Sequence, residues 1–178
     1  MNNPLVSLRV TKMNKEPFGY AQDDKRKMTK EELKTSLATA LPTATFDEAG
    51  EFLNMTVAPT ELPALMKDLR NKPEYKFDYL FCLTAVDWKT HFVTVYHLFS
   101  KEHKHTLVVK AKIDDRNDPK VETVCDIWRT AEFLEREVYD LFGIKFLNHP
   151  DLRRIFLDEN WPGWPLRKDY VDENMIEL

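Results

Sequence analysis

The segment Glu135–Ile155 constrains the fold most, because it sets charged residues between large apolar ones and passes from helical to irregular patterning. At 100° per residue, one apolar stripe runs into this segment, and Glu135 lies in the middle of it. A carboxylate withdrawn from water without a partner is strongly destabilising, so we expect a cation or hydrogen-bond donors to contact Glu135. The stripe consists of Val121, Val124, Trp128, Ala131, Glu135, Val138 and Phe142.

The stripe predicts a helical region over Val121–Phe142, either as one helix or as two short helices that break near Arg129-Thr130. Gly143 is a natural C-terminal stop for it. Further apolar residues point away from the stripe, so both sides of the helix should be buried, and another protein is a candidate to cover one of them. These residues are Ile127, Phe133, Leu134 and Leu141.

Upstream, the pattern predicts an α+β fold in which helices pack on a mostly antiparallel sheet, since short turns separate the last three strands. Two helices are expected, one from a Thr29–Glu32 capping box to Pro42 and one capped by Thr60. Tyr79–Val86 is apolar on both faces, which predicts a central strand. The other predicted strands are Thr43–Phe46, Glu51–Val57, His91–Phe99 and Leu107–Ile113.

The chain divides into three parts on this interpretation. Residues 1–28 are polar and aperiodic and are expected to form a flexible arm, and residues 29–143 form the α+β domain. Residues 144–178 have no sustained period but contain tryptophans, prolines and basic pairs. Such a segment cannot bury its large side chains alone, so we expect an extended C-terminal segment that docks on a partner.

Composition excludes several classes of function. The net charge of −4 gives no electrostatic reason to expect a nucleic acid partner. Two cysteines cannot supply the four thiolates of an iron–sulfur cluster, and they indicate a reducing, cytoplasmic setting. Four glycines permit neither a GxGxxG motif nor a P-loop. The longest apolar run, Tyr79–Val86, is too short to span a bilayer. We therefore expect no catalytic, cofactor-binding or metal-binding residue.

The acidic residues of the central segment are a candidate metal site, but their spacing disfavours it. Glu135 and Glu137 lie about 200° apart on a helix and cannot share a cation. Glu132, Arg136 and Asp140 instead have the spacing of an ion-pair ladder. A zinc site from the histidine-rich turn after the fourth strand is also less favoured than solvated side chains. The basic and aromatic C-terminal residues fit an interface anchor better than a nucleic acid site.

The central segment closely resembles the signature of the C-type subunits of proton-pumping NADH–quinone oxidoreductase, respiratory complex I. Members of that family carry a Glu-Arg-Glu-x-x-Asp core, here Glu135-Arg136-Glu137-Val138-Tyr139-Asp140, followed by a histidine and basic residues. These follow as His149-Pro150-Asp151-Leu152-Arg153-Arg154. The later Pro165-Leu166-Arg167-Lys168-Asp169-Tyr170 matches the tail of the family, and Val86-Asp87-Trp88 is a weaker landmark.

The resemblance implies a non-catalytic subunit of the peripheral arm, which packs on the D-type subunit near the B-type and I-type subunits. The flavin mononucleotide, iron–sulfur clusters and quinone then belong to partner subunits, and the chain lies peripherally on the cytoplasmic face of the bacterial inner membrane. It meets the membrane only through the assembled complex. We expect four signature residues to fix the helix and its junction with the C-terminal segment: Glu135, Arg136, Glu137 and Asp140. The residues expected to bind the D-type subunit are His149, Asp151, Arg153, Arg154, Arg167 and Lys168.

Two alternatives remain open at this point. The same signature is shared by the equivalent subunit of related membrane-bound hydrogenases or other dehydrogenase complexes. A free-standing metal-dependent hydrolase that uses the acidic cluster belongs to a different class and predicts turnover by the lone chain.

Overall fold

The structure is a computed structural model that describes residues 28–48 and 50–172. The predicted flexible arm therefore lies, apart from Met28, outside the described residues. The described elements, in chain order, are α1 (Lys30–Ala40), β1 (Thr45–Asp47), β2 (Leu53–Val57), α2 (Leu62–Asn71), β3 (Tyr79–Asp87), β4 (Phe92–Phe99), β5 (Thr106–Ile113), β6 (Lys120–Glu122), α3 (Ala131–Phe142) and β7 (Lys145–Leu147).

Five of these strands form the main sheet in the order β1-β2-β5-β4-β3. Neighbouring strands are antiparallel except for β2 and β5, which pair in parallel. The predicted meander of β3, β4 and β5 is confirmed, with Val95 opposite Thr84 on one side and Lys110 on the other. The α+β class with a mostly antiparallel sheet is therefore confirmed.

The prediction that Tyr79–Val86 is a central strand is wrong, because β3 lies at the edge of the sheet. Its outward side chains remain exposed, with Tyr79 at 42%, Phe81 at 41% and Val86 at 39%. Strand β5 takes the central position instead, and β4, between β5 and β3, is the strand whose residues are buried on both faces. Apolar patterning on both faces shows that a strand needs cover on both sides, and it does not say whether the same chain supplies that cover.

Helices α1 and α2 pack their leucines against one face of the sheet, in the same core as residues of β2, β4 and β5. The predicted capping box of α1 is confirmed, since Thr29 Oγ1 accepts from the Glu32 amide and Glu32 accepts from the Thr29 amide. The predicted cap of α2 by Thr60 is wrong. Glu61 holds the N-cap position in helical conformation and makes no capping bond with its side chain.

The predicted helical region over Val121–Phe142 is also wrong in its first half. Val121 belongs to β6, which pairs in parallel with β7, and residues 123–130 form turns before α3 begins at Ala131. The apolar stripe is nevertheless buried, because tight turns in which Val124 O accepts from the amides of Ile127 and Trp128 keep the spacing of the stripe. The spacing of the apolar residues therefore does not distinguish a helix from a succession of turns.

Candidate functional site

Glu135 lies fully buried on α3, where its carboxylate accepts hydrogen bonds from the turns that replace the predicted helix. Thr123 Oγ1 lies 2.5 Å from Glu135 Oε2, and the Val124 amide donates to Oε1 at 2.8 Å. The Cys125 thiol donates at 3.3 Å. Donors therefore meet Glu135, as the position of its carboxylate on the apolar stripe predicts. Burial outweighs these donors and raises the pKa of Glu135 to about 7.

His149 closes the other side of this cluster, with Nε2 4.0 Å from Glu135 Oε2. Glu135, Cys125 and His149 place three potential ligand atoms within 4.8 Å of one another, a geometry compatible with a metal ion. The hydrogen bonds argue against that use. His149 Nδ1 accepts from the Asp151 amide at 3.0 Å, so Nε2 must carry the proton that it shares with Glu132 O at 3.0 Å. Neither nitrogen of His149 has a free lone pair for a metal.

Asp140, nearer the C-terminus of α3, is the second buried carboxylate of this helix, and it lies at the junction between α3 and the C-terminal segment. Its Oδ2 accepts from the amides of Ile155, Phe156 and Leu157 at 3.0, 2.7 and 3.0 Å. Arg154 Nη1 donates to Oδ1 at 3.1 Å. Burial alone would raise the pKa of Asp140, but these donors together hold it below its ordinary value. Asp140 therefore fastens a turn of the C-terminal segment to α3.

Two arginines of the signature complete this attachment. Arg136 donates through Nε and Nη2 to the carbonyl oxygens of Arg153 and Arg154, at 3.2 and 3.1 Å. Arg154 reaches further along the segment, to the carbonyl oxygens of Trp161 and Gly163. The predicted ion-pair ladder of Glu132, Arg136 and Asp140 is therefore wrong. The C-terminal segment lies on that face of α3, and its buried backbone groups require partners.

Asp87, at the end of β3, anchors the C-terminal segment at a second point. It is 3% exposed and forms a two-pronged ion pair with Arg116, and its Oδ2 accepts from the Lys168 amide at 2.9 Å. Burial opposes ionisation, but Arg116 and two backbone amides lower the pKa of Asp87 to about 2. The sequence pattern marked Asp87 only as a weak landmark and did not mark Arg116, which lies in a polar loop without periodicity.

Gly143 marks the place where Arg167 and Trp164 return to α3. It ends the helix with a left-handed φ of 71°, as predicted for a C-terminal stop. Arg167 Nε donates to Phe142 O at 2.6 Å, and its guanidinium lies 5.8 Å from the Trp164 ring centroid. A Cβ on Gly143 would lie 2.5 Å from Trp164 and 2.7 Å from Arg167. The close approach therefore requires a residue without a side chain.

Replacement of Gly143 by alanine is expected to destabilise the protein by about 2 kcal/mol, because it combines backbone strain with overlap against Trp164. At this chain length the melting temperature should fall by roughly 4–8 °C. The matched control is Gly50→Ala, where the nearest atom to a new Cβ is 3.7 Å away. An equal loss in both variants, measured by thermal unfolding, would refute the packing at Gly143.

The structure does not bring all predicted site residues into one constellation. Arg136, Asp140, Arg154 and Arg167 bind the chain itself, and the cluster around Glu135 is separate from the one around Asp140. Asp151 and Arg153 form an exposed ion pair at 2.9 Å. Lys168 contributes its amide to Asp87. Glu137 is half-buried and joins neither carboxylate cluster, as its helical position predicts.

No helix within residues 28–48 and 50–172 combines the length and the apolar character that crossing a bilayer requires.

Comparison with known proteins identifies relatives of this chain. It is 43% identical over 121 residues to the C-type NADH-quinone oxidoreductase subunit of Geotalea uraniireducens, covering 66% of this chain and 72% of that protein. It is 48% identical over 102 residues to the fused C/D subunit of Phocaeicola vulgatus, covering 57% of this chain. The chain spans only 20% of that longer relative and 43% of the C-type subunit of Chloroherpeton thalassium.

A solved structure of the membrane-bound sulfane sulfur reductase, an archaeal respiratory membrane complex, contains a chain with a TM-score of 0.68 to this one. The sequence identity is 28%, and the match covers 79% of this chain and 85% of that chain. A profile of the family described as respiratory-chain NADH dehydrogenase, 30 kDa subunit, matches residues 55–174, which include the three buried carboxylates Asp87, Glu135 and Asp140. The chain therefore belongs to the 30 kDa subunit family of respiratory-chain NADH dehydrogenase.

Proposed function

We propose that this chain is a non-catalytic structural subunit of the peripheral arm of a proton-pumping NADH:quinone oxidoreductase. In such a complex, electrons pass from NADH through flavin mononucleotide and iron–sulfur clusters to quinone. The chain's part is to hold a D-type subunit, with B-type and I-type subunits nearby. The observation that carries the proposal is that the buried charges of the signature fasten the C-terminal segment to α3 while large apolar side chains stay exposed.

We name three of these side chains the tail patch: Phe133 on α3 with Ile155 and Phe156 on the C-terminal segment. Phe133 is 59% exposed and lies beneath the Arg136 guanidinium. Phe156 is 66% exposed, and its backbone amide donates to Asp140. Aromatic side chains that face solvent from a backbone fastened to the fold are typical of interface anchors, because the backbone is already ordered before binding. The tail patch is therefore the proposed contact with the D-type subunit.

The identity of the partner rests on fused relatives. The matching proteins of Phocaeicola vulgatus and Bacteroides thetaiotaomicron are named as C/D subunits, and this chain aligns with about a fifth of each. Fusion of two subunits in one polypeptide requires that their folded units lie within reach of each other. A C-type chain made separately would have to replace that covalent link with a surface contact.

The remaining parts of the proposal follow from the family and the residues. The carboxylates of Glu135 and Asp140 are occupied by internal donors, which leaves no convergent acidic site for a hydrolase among the residues that the structure describes. We propose that flavin, iron–sulfur clusters and quinone belong to partner subunits. The chain then lies on the cytoplasmic face of the bacterial inner membrane and meets the membrane only through the assembled complex.

The experiment replaces Phe156 with glutamate in a tagged copy of the chain and measures co-purification of the D-type subunit from solubilised membranes. Recovery of that subunit is expected to fall by at least about tenfold, since a buried unpaired charge would lie in the contact. The isolated variant should keep its melting temperature, because the side chain is exposed. Arg154 is unsuitable for this test, since it holds its own segment through Asp140.

Thr39→Glu supplies the control, because it adds the same charge on the exposed side of α1. It should leave recovery of the D-type subunit unchanged. Full recovery with Phe156→Glu would refute the tail patch as the contact. Absence of a D-type subunit from the wild-type preparation would refute the scaffold function itself.

A second candidate function is the equivalent role in a respiratory complex that does not oxidise NADH. The fold shared with the archaeal sulfane sulfur reductase complex supports it. The 38–48% identities to NADH-quinone oxidoreductase subunits, against 28% to that chain, favour the first candidate. NADH oxidation by the complex that co-purifies with the tagged chain separates the two candidates.

A further inference from the structure

A connected series of guanidinium groups and aromatic rings runs between the two buried carboxylates that anchor the C-terminal segment. Arg154, which pairs with Asp140, has its guanidinium carbon 4.4 Å from the centroid of the Trp164 ring. The guanidinium carbon of Arg167 lies 5.8 Å from the same centroid. We call this series the guanidinium–aromatic stack. From the Asp140 end to the Asp87 end, its members are Arg154, Trp164, Arg167, Phe92 and Arg116.

The second half of the stack passes from the C-terminal segment to the sheet. Phe92, the first residue of β4, is fully buried, and its ring centroid lies 5.1 Å from Cζ of Arg167 and 4.5 Å from Cζ of Arg116. Arg116 in turn pairs with Asp87. The side chains at the two ends of the stack, Arg154 and Arg116, are 10% and 18% exposed. Guanidinium groups are attracted to aromatic faces, and the attraction strengthens when water is excluded.

The members of the stack depend on one another, because each ring is contacted by two guanidinium groups and Arg167 contacts both rings. Release of either carboxylate anchor therefore removes one cation from the nearer ring and leaves Arg167 less firmly placed. Arg167 Nε donates to Phe142 O at 2.6 Å, and burial lowers the pKa of Arg167. A partly desolvated cation is stabilised chiefly by the groups that contact it, so a loss of ring contacts at one end is transmitted to the other.

The C-terminal segment is also crosslinked within itself between its two anchors. Trp161 Nε1 donates to Tyr170 Oη at 3.2 Å. Gly163 has a left-handed φ of 77°, and a Cβ there would lie 2.9 Å from the Tyr170 ring. Arg154 Nη2 donates to the carbonyl oxygens of Trp161 and Gly163. These contacts close the segment into one compact loop, which favours attachment or release of the loop as a whole.

We propose that the guanidinium–aromatic stack couples the two carboxylate anchors, so that residues 154–168 attach to and detach from the rest of the fold as one cooperative unit. Coupling of this kind requires an element with two states that both sites bias, and the attached and detached segment is such an element. The coupling is a property of the chain alone. One consequence, which rests on the proposed function, is that a change at Asp87 alters how often Phe156 of the tail patch is held in place for a D-type subunit.

Hydrogen exchange of the full-length chain tests the coupling by mutation at one anchor and measurement at the other. Asp87→Asn keeps the size of the side chain and removes its charge from the pair with Arg116. Exchange of the amides at 155–157 is expected to accelerate by at least about tenfold, although these amides donate to Asp140. The Lys168 amide, which donates to Asp87, should accelerate by the same factor within about threefold.

The reciprocal variant makes the same test from the other end. Asp140→Asn should accelerate exchange of the Lys168 amide by at least about tenfold, together with the amides at 155–157, because one opening event exposes them all. NMR spectroscopy resolves the individual amides in both variants.

Trp164→Leu tests the route of the coupling, because it removes the ring that joins Arg154 to Arg167. In this background Asp87→Asn should still accelerate exchange of the Lys168 amide. Exchange at 155–157 should now respond to Asp87→Asn by less than about twofold.

Asp118→Asn is the matched control. Asp118 pairs with Lys145 at 3.0 Å outside the stack, and both side chains are about half exposed. The variant should leave exchange at 155–157 within about twofold of wild type. Amides of β5 report on unfolding of the whole domain, and they should keep their wild-type exchange in Asp87→Asn.

Three outcomes would overturn the proposal. They are acceleration at Lys168 alone in Asp87→Asn, acceleration at 155–157 alone in Asp140→Asn, and an undiminished response at 155–157 in the Trp164→Leu background. Where Asp87→Asn also accelerates the β5 amides, the result for Asp140→Asn decides by itself. Failure of the proposed function is distinguishable, since that function requires a D-type subunit in the wild-type preparation and the exchange measurements do not.

Discussion

Replacement of Asp140 by alanine is expected to release the C-terminal segment from α3. The change removes the acceptor of three amides and leaves the Arg154 guanidinium without its carboxylate. Loss of one partner from a buried ion pair costs about 3–5 kcal/mol. Hydrogen exchange of the amides at 155–157 should therefore accelerate by at least about 100-fold, because the population of the detached state rises by the same factor. Mass spectrometry of exchanged peptides measures it.

Two variants calibrate this result. Asp140→Asn keeps one carbonyl oxygen as an acceptor and should fall between wild type and alanine. Asp151→Ala removes an exposed carboxylate whose partner Arg153 is also exposed, so exchange at 155–157 should change by less than about twofold. Exchange in Asp140→Ala equal to wild type would show that other contacts hold the segment and that Asp140 is not its anchor.

Replacement of Glu135 by glutamine is expected to remove a large pH dependence of stability. The pKa of Glu135 is raised to about 7 in the folded protein, from 4.5 for an ordinary glutamate. Because the folded state holds the proton more tightly, this group's stabilisation is complete below pH 4.5 and is lost as the pH rises through 7. The difference corresponds to about 3 kcal/mol. Wild type should therefore lose this amount between about pH 4.5 and 8, and the variant should not.

Denaturant unfolding at a series of pH values measures the effect. Thr123→Val provides a directional check, since the Thr123 hydroxyl lowers the pKa of Glu135 and its removal should move the decline to higher pH. Identical pH profiles for wild type and Glu135→Gln would contradict the burial of a protonated carboxyl. Asp87 affects stability in a separate pH range. Its lowered pKa contributes stability that disappears only as the pH falls toward 2.

The junction shows where sequence reasoning succeeds. Placing Glu135 on an apolar stripe required only the spacing of buried residues, and that spacing predicted both its burial and its need for donors. The identity of the donors could not be predicted, because Thr123, Val124 and Cys125 lie in turns and the pattern indicated a helix there. Helices and consecutive tight turns bury side chains at similar spacing, so hydrophobic periodicity alone does not separate them.

The C-terminal segment shows the converse. Its basic residues were expected to bind a partner subunit. In the structure, Arg154 and Arg167 donate from their guanidinium groups to carbonyl oxygens of this chain. Within the described residues, the segment has no regular strand or helix after β7. Apart from a few turn hydrogen bonds, such as that from the Trp161 amide to Asp158 O, several of its backbone groups take donors and acceptors from α3 and β3. The charged residues of the motif meet that need, and Phe156 remains exposed.

By itself the sequence determined the α+β class, the capping box of α1, the meander of β3 to β5 and the burial of Glu135, because each depends on local periodicity or nearest-neighbour chemistry. The tertiary structure alone decided that β3 lies at the edge, that α3 begins at Ala131, and that Asp87, paired with Arg116, accepts from the Lys168 amide. These features depend on contacts between residues that are distant along the chain. The local sequence around a charged loop residue does not identify the partner that it contacts after folding.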